Sequence, residues 1–199
     1  MTDLFTRGGP LMYPILLCSI IGWAIFMERI IAFVRVRHSL FSLKKSVMSL
    51  LGQGCVQDAA NLCSEGRMPL AKILTVVLKN CGRKRSYLKD IAEEVGEREA
   101  VALQRYLGLL GTIANITPLL GLLGTVLGMI KAFNVIATEG MGTPASLGGG
   151  ISEALITTAA GLTVSVPMIL LHRYLTSRSD RLVLELEEAT MQIVDLVEE

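Results

Sequence analysis

Charged residues leave three long gaps in this chain. Residues 11–27 and 107–130 contain no Asp, Glu, Lys or Arg, and residues 147–171 contain only Glu153. Apolar runs of roughly 18 or more residues are long enough to cross a bilayer as helices. The first run meets Glu28 and Arg29 and then stays apolar to Val34. This predicts a span over 11–34, with the charged pair anchored at an interface. Pro14 falls in its first turn, where a missing N–H costs little. The second helix is expected over 106–137. At 1.5 Å per residue it is about 48 Å long, against a hydrocarbon core of about 30 Å, so one or both ends should project from the bilayer. The third span is expected over 147–171.

Between the first two gaps the pattern changes to helical spacing of apolar and charged positions. Residues 56–63 and 70–80 read as short helices separated by Gly66 and Pro69. Ser86 is a candidate N-cap for a helix carrying Leu88, Ile91, Val95 and Ala102, with no breaker but Gly96 before the second span. That helix is therefore expected to continue into the span. After the third gap, Leu175, Leu182, Leu186, Ala189, Ile193 and Leu196 recur at helical intervals while Glu185, Glu187, Glu188 and Asp195 lie mainly off the stripe. The fold expected is all-α: a polytopic membrane protein with three transmembrane helices and long helices projecting into the cytoplasm. Its segments are an N-terminus with the first span (1–34), a helical region (35–105), a hairpin of the second and third spans (106–173), and an amphipathic C-terminal helix (174–199). Gly148–Gly149–Gly150 is expected to form a tight turn or a flexible start to the third span.

Composition agrees with this plan: 51% of residues are hydrophobic and 19% charged, with a mean hydropathy of +0.53. Residues 35–105 carry 13 Lys and Arg, the tail carries Arg173, Arg178 and Arg181, and 138–146 carry none. The excess of positive charge on cytoplasmic loops then places the N-terminus and the short loop outside, and the long region and tail inside. The N-terminus lacks a basic leader and a small-residue cleavage site, so the first span is expected to be retained. A net charge of +1, without a basic patch interleaved with aromatics, gives no reason to expect nucleic acid.

The second span carries a stripe of small residues and one proline at steps of three and four: Gly111, Ala114, Pro118, Gly121, Thr125, Gly128 and Ala132. The third carries a shorter one: Ala154, Thr158, Gly161 and Ser165. Two readings stand side by side. Small residues let helices approach closely in lipid, or they line a narrow pore in which threonines offer hydroxyls. In a hairpin, residues at one depth have a nearly constant sum of numbers. Thr125 with Thr158, and Lys131 with Glu153, satisfy almost the same sum. The threonines should lie about 17 Å from the outer end and the charged residues about 9 Å from it. An intramembrane charge costs on the order of 2.5–3.5 kcal/mol on insertion scales and is a functional hypothesis by default. Glu153 is expected either in an ion pair with Lys131, or on an ion path facing a partner helix, or in both roles. Thr157 shares its side. Thr158 is turned about 140° from it at 100° per residue, toward a different neighbour.

No nucleophile–base constellation, P-loop or dinucleotide fingerprint occurs, and Gly148–Gly150 lack the G-x-G-x-x-G frame. No enzyme activity, catalytic residue, metal site or cofactor is expected. His38 and His172 each stand alone in the sequence. Cys18, Cys55, Cys63 and Cys81 form no CxxC or zinc spacing and are expected as free buried thiols.

Residues 113–133, IANITPLLGLLGTVLGMIKAF, and 150–167, GISEALITTAAGLTVSVP, resemble the core motifs of the MotA/TolQ/ExbB proton-channel proteins. WAIFMER at 23–29 is similar to the end of that family's first span. The resemblance covers all three spans, and the helical region more loosely. Three spans rather than four fit the ExbB/TolQ branch. The resemblance implies a bacterial inner-membrane protein with a periplasmic N-terminus and a cytoplasmic C-terminus. It also implies a homopentamer around an ExbD/TolR-like single-span partner whose intramembrane Asp carries the translocated ion, expected to be H+. Thr125 and Thr158 match its pore positions and Glu153 its span-three glutamate. Pro118, Gly121, Thr157 and Gly161 complete the expected pore-lining set. The implied function is conversion of proton motive force into work on the envelope or on outer-membrane transport. The alternative is a non-conducting membrane scaffold or assembly protein.

Overall fold

The computed structural model describes residues 8–139 and 144–198, and within them all regular structure is helical. Among the described residues six helices follow one another: α1 Met12–Gly52, α2 Val56–Ser64, α3 Pro69–Lys79, α4 Arg85–Leu103, α5 Leu107–Glu139 and α6 Pro144–Glu198. Among the described residues three helical stretches are long and apolar enough to cross a membrane. The residues fall into two compact units, one of residues 1–27 with 106–174 and the other of 28–105 with 175–199.

In the first unit, α5 meets α6 and the start of α1. Large apolar side chains such as Leu17, Ile20, Leu119, Leu122, Phe133, Leu155 and Leu170 are exposed along these helices. Contiguous apolar surface on this scale suits lipid or neighbouring helices, not water. The inner faces are built from small residues. A Cβ on Gly22 would lie 2.5 Å from the sulfur of Met168, so α1 and α6 touch where α1 has no side chain.

The second unit has a conventional core. Ile73 and Val77 of α3, Leu88 and Ala92 of α4 and Val194 of α6 form one buried cluster, with Val95 and Val197 packed against it. Charges lie around it: Lys72 Nζ is 2.7 Å from Glu99, and Arg85 is 2.6 Å from Asp195. Arg29 is buried, donates to both carboxylate oxygens of Glu28 and reaches the Leu103 carbonyl at 3.4 Å. The Glu28–Arg29 pair, expected as an interfacial anchor, is thus tied to the end of α4.

Several expectations are corrected. The expected span over 11–34 gave no end to its helix, which runs on past Val34. Residues 35–52 contain no proline, and helix continues to Gly52. Helix α4 begins at Arg85, after Lys84, so Ser86 is not its N-cap. It also does not continue unbroken into the span: residues 104–106 form a turn. Tyr106 there has φ 67°, which a non-glycine residue adopts only at a break in the helix. Gly148–Gly150 are helical within α6 instead of forming a turn. Of the surrounding loop expected at 138–146, residues 140–143 lie outside the described residues. On the tail stripe Leu175, Leu182, Leu186, Ala189 and Ile193 are buried, but Leu196 is exposed and Val194 takes the inward place. Three of the four cysteines depart from the buried thiols expected: Cys81 is exposed, Cys18 and Cys55 are intermediate, and only Cys63 is buried.

Candidate ion site in the membrane helices

Glycine on both helices allows the α5–α6 contact. A Cβ on Gly161 would sit 2.8 Å from the Thr117 carbonyl oxygen and 3.0 Å from the Cα of Gly121, and one on Gly128 would sit 2.7 Å from the Ala154 Cβ. No side chain fits there, so the two backbones are in contact along Gly121, Gly128, Gly150 and Gly161. Much of the small-residue stripe, including the expected pore positions Gly121 and Gly161, is therefore spent on helix packing within one chain. Pro118 is half-buried on the same helix.

Backbone polarity is managed at this contact. Pro118 has no N–H, so the carbonyl of Ala114, four residues earlier, loses its helical donor. The Ser165 hydroxyl of α6 donates to that carbonyl at 2.8 Å. In lipid an unpaired carbonyl would be expensive; here the neighbouring helix supplies the missing bond.

The two threonines expected at one depth both lie on the hairpin, and each hydroxyl is engaged. Thr158 Oγ1 donates across the contact to the Gly121 carbonyl at 2.8 Å and lies 3.1 Å from that of Ala154. Thr125 Oγ1 donates to the Leu122 carbonyl in its own helix at 2.5 Å. Both side chains are half-buried.

The structure brings Lys131 and Glu153 together. Nζ of Lys131 is 2.7 Å from Oε2 of Glu153, and the glutamate side chain is 23% exposed against 65% for the lysine. Facing charges on two helices satisfy each other, where either alone in a membrane helix would be costly. Thr157, one turn on from Glu153, is fully buried. Its hydroxyl lies 2.5 Å from the Gly8 carbonyl and 2.8 Å from the Glu153 carbonyl, while its methyl packs where Gly124 has no Cβ. The chain before α1 is therefore part of this site. Sequence reasoning did not include Gly8 and Gly9; their position directly before Pro10 was the available signal of a turn.

The family model described as the MotA/TolQ/ExbB proton channel family matches residues 65–188. The chain belongs to this family. Relatives of the ExbB kind match most of its length. A biopolymer transport protein ExbB homolog of Methanothermobacter thermautotrophicus is 32% identical over 89% of this chain, which spans 63% of that relative's length. ExbB of Neisseria meningitidis is 28% identical over 86% of this chain and 85% of its own. The protein exbB1 of Vibrio cholerae is 30% identical over 98% and 87%. In this chain the Lys131–Glu153 pair and the Thr158–Gly121 hydrogen bond lie on a hairpin with exposed apolar side chains such as Leu119, Leu122, Leu155 and Leu170.

Proposed function

We propose that this chain is the proton-channel subunit of an ExbB/TolQ-like inner-membrane motor. In this reading it assembles as a homopentamer around a single-span partner with an intramembrane Asp. Its N-terminus is periplasmic and its C-terminus cytoplasmic, and proton motive force is turned into work on the envelope or on outer-membrane transport. The observation that carries the reading is the Lys131–Glu153 pair on two segments, 107–138 and 147–171, that contain no other Asp, Glu, Lys or Arg. A charged residue in such a segment is costly and is a functional hypothesis by default. A partner carboxylate arriving at mid-membrane depth needs donors, and a threonine hydroxyl can turn from a backbone carbonyl to a carboxylate by one rotation. Thr158 and Thr125 are the donors available. One charge crossing 100 mV releases about 2.3 kcal/mol, so several ions per cycle are needed for appreciable mechanical work.

A second reading is a non-conducting scaffold. It is favoured by one observation: the hydroxyls of Thr125 and Thr158 already serve backbone carbonyls. The test is Thr158→Ala and Thr125→Ala, scored for complex assembly and for energy-dependent function in cells. The pore reading expects normal assembly and loss of energised function in Thr158→Ala. Undiminished function in both variants supports the scaffold and ends the pore reading.

A further inference from the structure

We propose that the Gly8–Gly9 turn is a positioning element that holds the Glu153 carboxylate on Lys131 and closes this side of the ion site. Three contacts interlock. Glu153 Oε2 accepts from Lys131 Nζ at 2.7 Å. Its other oxygen, Oε1, occupies the space where a Gly9 side chain would begin: a Cβ there would stand only 2.1 Å away. The turn is fastened by the Thr157 hydroxyl on the Gly8 carbonyl at 2.5 Å, one helical turn from Glu153.

Gly9 is required twice over. Its φ of +72° lies in the left-handed region that side-chain-bearing residues avoid. Its missing Cβ is also what leaves room for the carboxylate. Gly8 is closed as well, since a Cβ there would meet Met12 at 2.6 Å and Ile156 at 3.2 Å. The Gly9 carbonyl also accepts the Met12 N–H at 3.2 Å, which ties the turn to the first turn of α1. An alanine at position 9 therefore displaces either the turn or the carboxylate. The carboxylate is the softer of the two, being the end of a flexible side chain, and moving it breaks the pair with Lys131. The functional consequence, control of access to an ion-path carboxylate, rests on the ion-channel reading; the interlock itself does not.

The test is the initial rate at which dicyclohexylcarbodiimide, an apolar carboxyl reagent, labels Glu153 in the full-length protein in lipid nanodiscs, read by peptide mass spectrometry. Gly9→Ala and Thr157→Val should each raise the rate several-fold. Thr157→Ser, which keeps the hydroxyl, and Thr163→Val, an exposed threonine elsewhere on α6, should label as wild type. Lys131→Gln should raise the rate by itself, and adding Gly9→Ala to it should add little, because both act through one pairing. Wild-type rates in Gly9→Ala and Thr157→Val overturn the proposal. So does an equal gain from Gly9→Ala with and without Lys131. If Gly9→Ala does not accumulate, the Thr157→Val against Thr157→Ser comparison decides. Labelling does not depend on ion flow, so its outcome is separate from that of the channel reading.

Discussion

A buried thiol shows how local environment sets reactivity. Cys63, on α2, is fully buried, and burial pushes its thiol up to about 11. Only the thiolate attacks an alkylating reagent. Cys63 is therefore almost wholly in the unreactive thiol form at pH 8. Cys81 is exposed. Iodoacetamide at pH 8 should therefore modify Cys81 in the native protein and leave Cys63 intact until a denaturant exposes it, as peptide mapping would show. Equal modification of both would mean that α2 does not hold Cys63 inside. The sequence alone could classify these cysteines as unpaired, since no metal or redox spacing links them. It could not tell the buried one from the exposed one, because that depends on which face of a short helix turns inward.

At the scale of elements, the α5–α6 contact rests on the exchange between Pro118 and Ser165. Removing the Ser165 hydroxyl leaves the Ala114 carbonyl without a donor, a loss of about 1–3 kcal/mol for a buried unsatisfied group. Ser165→Ala should lower the thermal midpoint of the detergent-solubilised protein. The same change in a Pro118→Ala background should cost clearly less, because the restored N–H at position 118 satisfies Ala114 within α5. Equal costs in both backgrounds would rule out this exchange. The spacing of small residues marked the face but left two uses open, close helix packing and a pore lining; Gly121, Gly128, Gly150 and Gly161 are used for packing. The ends of the elements were less legible. Val34 ends an apolar run but not a helix, since the backbone hydrogen bonds of α1 continue through the polar residues that follow. The break at Tyr106 carries no glycine or proline to announce it. The role of Gly8 and Gly9 was hidden because it depends on residues nearly 150 positions away.

At the scale of the whole molecule, three apolar helices hold the Lys131–Glu153 pair on which the proposed ion path rests. The membrane plan followed from charge-free runs, and family membership from motifs in the second and third spans that also match the known family. The proposed ion path rests on a different fact, that Lys131 and Glu153 meet at 2.7 Å on facing helices. The most direct measurement is potential-driven proton uptake by proteoliposomes containing the complex purified through a tag on this chain, with wild type compared against Glu153→Gln. The account predicts measurable uptake for wild type and a loss of at least roughly tenfold, the equivalent of about 1.4 kcal/mol in barrier height, for the variant. Uptake that is identical in the two, from complexes of equal composition, would contradict it.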